Sequence, residues 1–225
     1  MIAFSLAGGR KVRPLFRSNH WPGIRKGGMI NEKIHYRLPL KLINSYTWAN
    51  LEPPAKAILP VLGVFANREG KAWPGVRSIA NYAGYKDMRY IRLGMKNLID
   101  NKVITRKKQG RHYVYYLIDI AIWKRGRSYF PIYKSTILKR IWAKLTASEK
   151  SLYIVLGEKA KVNAPDIIDS DLHASGHING IYKYCKFAGI SRWSFERAYL
   201  GLNNCSLINF WEDEDIYTYG VYAPQ

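Results

Sequence analysis

The chain contains one unit of roughly 95 residues twice, and this internal repeat constrains the fold more than any other feature. At a shift of 94 residues the chain aligns Tyr36 with Phe130, Ile43 with Ile137, Trp48–Leu51 with Trp142–Leu145, Lys56 with Lys150, and Val61–Gly63 with Val155–Gly157. Further on, Ala83-Gly84 aligns with Ala188-Gly189 at a shift of 105, and Val103-Ile104 with Leu207-Ile208 at a shift of 104. The matches predict two similar domains in tandem, with a longer loop in the second copy near residues 164–179.

The first copy shows the apolar spacing of three helices followed by a β-hairpin. We expect a helix that begins at Pro53-Pro54 and is kinked by Pro60, because proline suits a first helical turn and disrupts an interior one. A short helix is expected over about 74–82, with Val76, Ile79 and Ala80 facing inward, and a tight turn at Ala83–Tyr85. A longer helix is expected over about 87–101, with Ile91, Met95 and Leu98 on its inner face. A hairpin of Val103–Thr105 and Tyr113–Leu117 follows, joined by a polar turn at Arg106–Arg111.

The second copy repeats this pattern at its turn, long helix and hairpin. Gly189–Ser191 forms the turn, and Ser191 is a typical helix N-cap. Phe195, Tyr199 and Leu202 form the inner stripe of the helix that follows. Leu207–Trp211 and Ile216–Val221 form the second hairpin.

Helix, short helix, glycine turn, helix and hairpin is the element order of a winged helix-turn-helix domain. The predicted fold class is therefore α+β and mainly helical, with two tandem winged-helix domains, each bearing a β-hairpin wing. We assign the first domain to residues 29–128 and the second to residues 129–225. Residues 1–28 hold six basic and no acidic residues and show no periodicity. Two interpretations of this segment stay open: a disordered basic arm, or an upstream extension of a reading frame that starts at Met29.

The first copy also resembles a known family. The residues that carry the resemblance are Asn67–Pro74, Ile79-Ala80, Ala83-Gly84, Leu98 and Val103-Ile104, and in the second copy the run from Gly189 to Leu207-Ile208. This pattern is similar to the winged helix-turn-helix domain common in bacterial plasmid and phage proteins, although the first copy has one extra residue between Gly84 and Ile91. The resemblance implies DNA binding. The two-domain layout is similar to that of iteron-binding plasmid replication initiators, and such domains also occur in transcription regulators.

The charge is large and unevenly distributed. The chain carries 36 Lys and Arg against 16 Asp and Glu, a formal net charge of +20. Residues 1–128 account for +19 of this and residues 129–225 for only +1. Solubility alone does not require such a division, whereas a polyanion such as nucleic acid attracts a basic face.

The candidate DNA-contacting residues lie on the long helices, on the short helix that precedes the first of them, and in the first wing. They are Arg77, Lys86, Arg89, Arg92, Lys96, Arg106, Lys107, Lys108 and Arg111 in the first copy, and Arg192 and Arg197 in the second. The second wing turn is Glu212–Asp215, four adjacent carboxylates that would repel phosphate. Two interpretations of the second copy stay open: it serves dimerisation or a protein partner, or its helix contacts DNA while the acidic wing points away.

Other chemistries find little support in the sequence. We expect no enzymatic activity and no cofactor, because no nucleophile–base arrangement and no phosphate loop is present. Asp169, Asp171, His173 and His177 are interpreted as a solvated loop rather than a metal site. Cys185 and Cys205 are interpreted as reduced core residues, with a disulfide as the alternative. No apolar run is long enough for a membrane span, so we expect a cytoplasmic, nucleoid-associated protein of prokaryotic or viral origin.

The sequence therefore predicts a sequence-specific double-stranded DNA-binding protein of a mobile genetic element, acting in replication initiation or transcription regulation. The alternative is a protein-interaction adaptor that uses the winged-helix fold and binds nucleic acid non-specifically. The partners expected are duplex DNA and, through the second domain, a second copy or another protein.

Overall fold

A computed structural model of the protein describes residues 35–67, 69–110, 112–118, 129–159, 172–178, 180–213 and 216–222. All of these belong to one compact unit, Glu32–Gln225. The predicted boundary near residue 128 therefore separates two repeats within one unit.

In its described residues the first repeat comprises four strands and five helices. In chain order these are β1 (His35–Pro39), α1 (Lys41–Asn44), α2 (Thr47–Asn50), α3 (Pro53–Phe65), β2 (Lys71–Ala72), α4 (Val76–Ala83), α5 (Met88–Asp100), β3 (Ile104–Gln109) and β4 (His112–Leu117).

The second repeat has the same elements in the same order. They are β5 (Tyr129–Tyr133), α6 (Lys134–Leu138), α7 (Ile141–Lys144), α8 (Ala147–Lys159), β6 (Leu172–His177), α9 (Ile181–Ala188), α10 (Arg192–Asn204), β7 (Ile208–Asp213) and β8 (Ile216–Tyr222). The protein is thus α+β and mostly helical, as predicted. Each repeat has an antiparallel three-stranded sheet, with strand orders β2-β4-β3 and β6-β8-β7. The two-residue strand β2 and the six-residue strand β6 were not predicted. Strand β6 includes His173 and His177, which were expected to lie in a loop.

Helices α3 and α5 of the first repeat pack closely because of a glycine. A Cβ atom built on Gly94 would lie 2.7 Å from Ile58 Cδ1 and 2.8 Å from the Pro54 carbonyl carbon, so only glycine permits this approach. The buried residues of α5 include the predicted Ile91, Met95 and Leu98. Helix α3 begins at Pro53 as expected, and it continues through Pro60 to Phe65 rather than being interrupted there.

Two expectations about the first repeat are corrected. Val76 was expected to face inward, but it lies at the first position of α4 and is 42% exposed, while Ile79, Ala80 and Ala83 are buried. Arg106–Arg111 was expected to be a turn, but strand β3 extends to Gln109 and pairs with His112. The connection is therefore only two residues long and includes Gly110 at a φ of +60°.

The extra residue of the first copy lies in the connection between α4 and α5. Four residues, 84–87, link these helices, against three, 189–191, between α9 and α10. Asp87 and Ser191 are both N-caps whose side chains accept a hydrogen bond from a main-chain N–H of the following helix. The two long helices are thus in the same register at a shift of 104 residues.

The two repeats are joined by strands related by an approximate two-fold axis. Strand β1 pairs antiparallel with β5, and Arg37 pairs with Pro131, its own equivalent at a shift of 94. On either side, Tyr36 pairs with Ile132 and Leu38 with Phe130. Helix α4 packs on α7, and α9 packs reciprocally on α2. This is the isologous pattern of a symmetric dimer, formed here within one chain.

A pair of buried tryptophans extends this symmetry into the core. Trp48 donates its indole N–H to the Ser151 carbonyl oxygen (3.3 Å), and Trp142 donates to the Ala57 carbonyl oxygen (2.9 Å). Both indoles are fully buried, and α3 packs on α8 beside them. Two tandem domains would each have a core of their own, but the buried apolar residues of both repeats form one continuous cluster.

Two equivalent lysines are buried at the same junction. Lys56 Nζ donates to the carbonyl oxygens of Ala49 (3.2 Å), in the last turn of α2, and of Ala188 (2.8 Å), the last residue of α9. Lys150 Nζ donates to the Leu145 carbonyl oxygen. Burial lowers the pKa of each ammonium group to about 8. Carbonyl groups at helix C-termini carry partial negative charge, which offsets part of the cost of burying these cations.

The two cysteines occupy different environments. Cys185 is buried in α9, as expected, whereas Cys205 is exposed at the C-cap of α10 and is not a core residue. Both are free thiols.

Candidate nucleic-acid interface

The outward face of α5 carries the basic residues that the sequence singles out. Arg89, Arg92 and Lys96 are all exposed, on the side opposite the buried stripe. Tyr90 and Leu93 share this face and are 49% and 52% exposed, so the surface is mixed basic and apolar. Lys86 is exposed but lies in the turn before α5 rather than on the helix itself.

Two of these cations pair with carboxylates at the ends of the same helix. Arg89 donates through Nε to Asp87 Oδ2 at 2.8 Å, and Lys96 Nζ lies 2.8 Å from Asp100 Oδ2. The hydrogen bond from Arg89 holds the pKa of the Asp87 carboxyl below its usual value. Among the described residues, Arg92 has no carboxylate at ion-pairing distance. Exposed ion pairs of this kind contribute little to stability, so all three side chains remain accessible to a ligand.

Strand β3 places three further cations on a projecting hairpin. Arg106, Lys107 and Lys108 are exposed, and so are their neighbours Thr105 and Gln109. Five successive exposed residues mean that both faces of the strand are in water, because side chains alternate between the faces. The Arg106 guanidinium lies 5.0 Å from the centre of the Tyr113 ring on β4, which orients it along the hairpin. Arg111 lies outside the described residues.

Helix α4 contributes Arg77, which is exposed near its N-terminus. The turn after α4 contains Gly84 at a φ of +85°, a conformation that favours glycine. This turn sets the direction of α5 relative to α4. Arg77, Lys86 and the α5 cations thus belong to one helix pair of the first repeat.

The equivalent helix pair of the second repeat has different chemistry. Arg192 and Arg197 are exposed on α10, but Arg192 pairs with Glu196 at 3.1 Å and Arg197 lies 4.5 Å from the centre of the Trp193 ring. At the positions equivalent to Arg77, Arg89 and Lys96 the second repeat has Tyr182, Trp193 and Leu200, which are 83%, 64% and 61% exposed. The side chains of Glu212–Asp215 lie outside the described part of the structure.

Sequence reasoning missed three cations of the second repeat that face the first. Lys139, Arg140 and Lys144 line a cleft together with Lys86 and Asn81, between α4 and α7. We call this the inter-repeat cleft. The signal was present in the repeat alignment, because the residues at the equivalent positions of the first copy are Ser45, Tyr46 and Asn50. It was missed because the sequence does not show that α7 packs against α4.

Comparison with known proteins gives no match: no family model, no curated protein and no solved structure is significantly similar to the chain. None of the helices in the described part of the chain has the length and apolar content needed to span a bilayer. The functional interpretation therefore rests on the chemistry and geometry of the residues.

Proposed function

We propose that the protein binds double-stranded DNA, chiefly through α4, α5 and the β3–β4 hairpin of its first repeat. Helix, short strand, helix, glycine turn, helix and hairpin is the element order of winged helix-turn-helix domains, and it occurs here in both repeats. We accordingly interpret each repeat as a winged-helix domain, with β3–β4 and β7–β8 as the wings.

The observation that carries the proposal is the exposure of β3. Residues 105–109 gain nothing from core burial, because both faces of the strand are in water. Three of the five are cations, and a hairpin of this composition fits the phosphate backbone of DNA. The exposed cations of α5 belong to the same repeat, so helix and hairpin supply the two kinds of contact that such domains make.

The roles of the two elements differ. Arg92 on α5 is available for the bidentate hydrogen bond to guanine O6 and N7 that gives sequence specificity in the major groove. Lys107 and Lys108 on the hairpin suit phosphates, which give affinity without specificity. Arg89 and Lys96 are each tied to a carboxylate and exchange that partner for phosphate on binding.

A second candidate function, protein contact, applies to the second repeat. Its helix pair presents Tyr182, Trp193 and Leu200 where the first repeat presents cations, and exposed aromatic residues are typical of protein interfaces. In this proposal the second repeat contacts DNA weakly and binds a second copy or a partner protein. Sedimentation of the wild type and of Trp193→Ala tests this proposal. Self-association that the variant abolishes would support contact between two copies. If both proteins stay monomeric at every concentration, self-association is excluded and the contact must be with a different protein.

The arrangement of the protein's binding sites on DNA distinguishes two biological roles. A protein that initiates replication of a mobile element is expected to bind tandem repeats at an origin, whereas a transcription regulator is expected to bind a promoter-proximal palindrome. Selection of bound fragments from the host DNA, followed by sequencing, distinguishes the two.

A charge-matched pair of variants tests the proposal. K107S/K108S removes two cations from the hairpin. K41S/K102S removes two exposed cations elsewhere: Lys41 is the first residue of α1, and Lys102 lies just beyond the end of α5 that is remote from Lys86. Lys41 and Lys102 are equivalent to Ser135 and Ser206, so serine occurs naturally at these positions of the repeat. We expect the hairpin variant to lose most of its duplex affinity and the control to lose little. Equal loss in both would reduce the proposal to a general attraction of a basic protein to DNA.

A further inference from the structure

The inter-repeat cleft is a strongly basic depression built by both repeats. It has a volume of about 570 Å³ and is lined by Lys86 from the first repeat and by Lys139, Arg140 and Lys144 from the second. None of the described residues that line it is acidic. Four cations around one depression repel each other, and an anion between them relieves that repulsion.

The walls of the cleft are held in place by contacts between the repeats. A Cβ atom on Gly84 would lie 2.1 Å from the Ala143 carbonyl oxygen, so glycine lets the end of α4 approach α7. Arg140 lies between α6 and α7 in the left-handed conformation, at a φ of 62°, and its guanidinium donates a hydrogen bond to Asn81 Oδ1 on α4. The cations are therefore presented by a defined backbone rather than by a loose chain end.

The approximate two-fold axis supplies an internal comparison. On the other side of the molecule Gly189 approaches Ala49 in the same way, with a Cβ-to-oxygen distance of 2.3 Å. Tyr46, the equivalent of Arg140, has nearly the same left-handed conformation, with a φ of 59°. The scaffold is thus present twice, and its packing does not require cations at the positions of Lys139, Arg140 and Lys144.

The two sides differ in charge. On the other side Lys186 occupies the position of Asn81, and its ammonium lies 5.2 Å from the centre of the Tyr46 ring. Ser45, Tyr46 and Asn50 stand where the inter-repeat cleft has Lys139, Arg140 and Lys144. The second half of the chain has a net charge of only +1, and it places three of its eleven cations at this one contact with the first repeat. Folding alone therefore does not account for Lys139, Arg140 and Lys144 at this contact.

We propose that the inter-repeat cleft binds the phosphodiester backbone of the same DNA duplex that α5 and the β3–β4 hairpin contact. Lys86 belongs both to the cleft and to the turn that leads into α5, so the cleft adjoins the helix that carries the basic residues of the first repeat. The second repeat then supplies phosphate contacts to the first, and this inference rests on the proposed duplex binding. All three cations of the second repeat are exposed. In this proposal Arg140 also holds the cleft together through its hydrogen bond to Asn81, whereas Lys139 and Lys144 contact only the phosphates.

An exchange of cations across the two-fold axis tests this proposal. K139S/K144N gives the cleft the residues found at the equivalent positions of the first repeat, and S45K/N50K adds two cations at those positions. Combining all four substitutions restores the wild-type net charge. The probe is a labelled 30-bp duplex titrated at several salt concentrations, with the single strand of the same sequence as a second probe. Thermal unfolding checks that each variant folds, and K139Q/K144Q keeps the side chains long should the first variant prove unstable.

We expect K139S/K144N to bind the duplex about 10- to 50-fold more weakly near 0.1 M salt, with a salt slope shallower by about 2. The charge-restored exchange variant should remain as weak. Wild-type affinity in the exchange variant would show that net charge alone matters, and loss of single-strand binding alone would make an unpaired strand the occupant. Either result overturns the proposal.

The hairpin variant separates this inference from the proposed function. If K107S/K108S weakens duplex binding while K139S/K144N does not, duplex binding stands and the role of the cleft is wrong. If the wild type does not bind the duplex, both proposals fail.

Discussion

The indole N–H of Trp48 donates a hydrogen bond to the Ser151 carbonyl oxygen of the other repeat, 103 residues further along the chain. Trp142 returns the same contact to Ala57. With strands β1 and β5 paired beside them, these bonds make the two repeats one folding unit. The basic first repeat and the near-neutral second repeat are therefore held in a fixed arrangement, which the inter-repeat cleft requires.

The first prediction concerns this junction. Trp48→Phe removes the indole donor and leaves a small cavity, so the free energy of unfolding should fall by about 1–3 kcal/mol. Trp73→Phe is the control, because Trp73 is 58% exposed and should change stability by less than about 0.5 kcal/mol. Urea unfolding followed by circular dichroism measures both. The wild type should unfold in one transition, and two separate transitions would show that the repeats are independent domains.

The second prediction concerns pH. The pKa of Lys56 and of Lys150 is lowered to about 8 by burial, so the unfolded chain binds more protons than the folded one between about pH 8 and the ordinary lysine value of 10.5. Stability should therefore rise with pH above about 8, by roughly 1–2 kcal/mol for each lysine by pH 9.5. Glu149 acts in the opposite direction on Lys150, but more weakly than burial.

Above about pH 10 this trend should reverse. Burial raises the pKa of Tyr36, Tyr153 and Tyr219, so the unfolded chain loses these protons first and is favoured at high pH. Denaturant unfolding at half-unit pH intervals tests both limbs, with Lys56→Met as the variant that should flatten the rise. A stability that is constant or falls from pH 7.5 to 9.5 in the wild type would mean that the lysines are not desolvated as described.

The third prediction separates specificity from affinity. Arg92→Ala should cost roughly 1–3 kcal/mol on the preferred site and much less on random DNA, because base contacts are lost only at that site. Lys107→Ala should weaken both about equally, because phosphates are the same in every sequence. Titration of the two variants against a selected duplex and a scrambled one gives the comparison. An equal effect of Arg92→Ala on both duplexes would remove α5 from base recognition.

Much of the fold is predictable from local patterns in the sequence. The inner stripe of α5, the N-cap Ser191 and the glycine turn depend on neighbouring residues alone, and they were placed correctly. The length of β3 was missed because its residues are exposed on both faces and show no alternation. The β1–β5 pairing and the inter-repeat cleft were missed because they bring together residues about 60 to 100 positions apart, a distance over which sequence periodicity carries no signal.

The fourth prediction concerns the acidic run Glu212–Asp215, which was expected to be the second wing turn. Its first two residues instead end strand β7 and pair with Tyr217 and Ile216 of β8. Replacing all four residues by Asn or Gln should leave duplex affinity nearly unchanged, apart from a modest gain that disappears at high salt. It should weaken self-association or partner binding if the second repeat serves protein contact. A gain of tenfold or more in duplex affinity that persists at high salt would place this connection against the DNA.

The salt dependence of duplex binding tests the central proposal most directly. If the first repeat and the inter-repeat cleft neutralise about 6–8 phosphates, the logarithm of the association constant should fall by about 5–7 for each tenfold rise in salt concentration. The measurement needs only the wild-type protein and a labelled duplex of mixed sequence. A slope near −6 is the result expected, and a slope shallower than about −2, or no binding at low salt, would contradict the assignment of this basic surface to DNA.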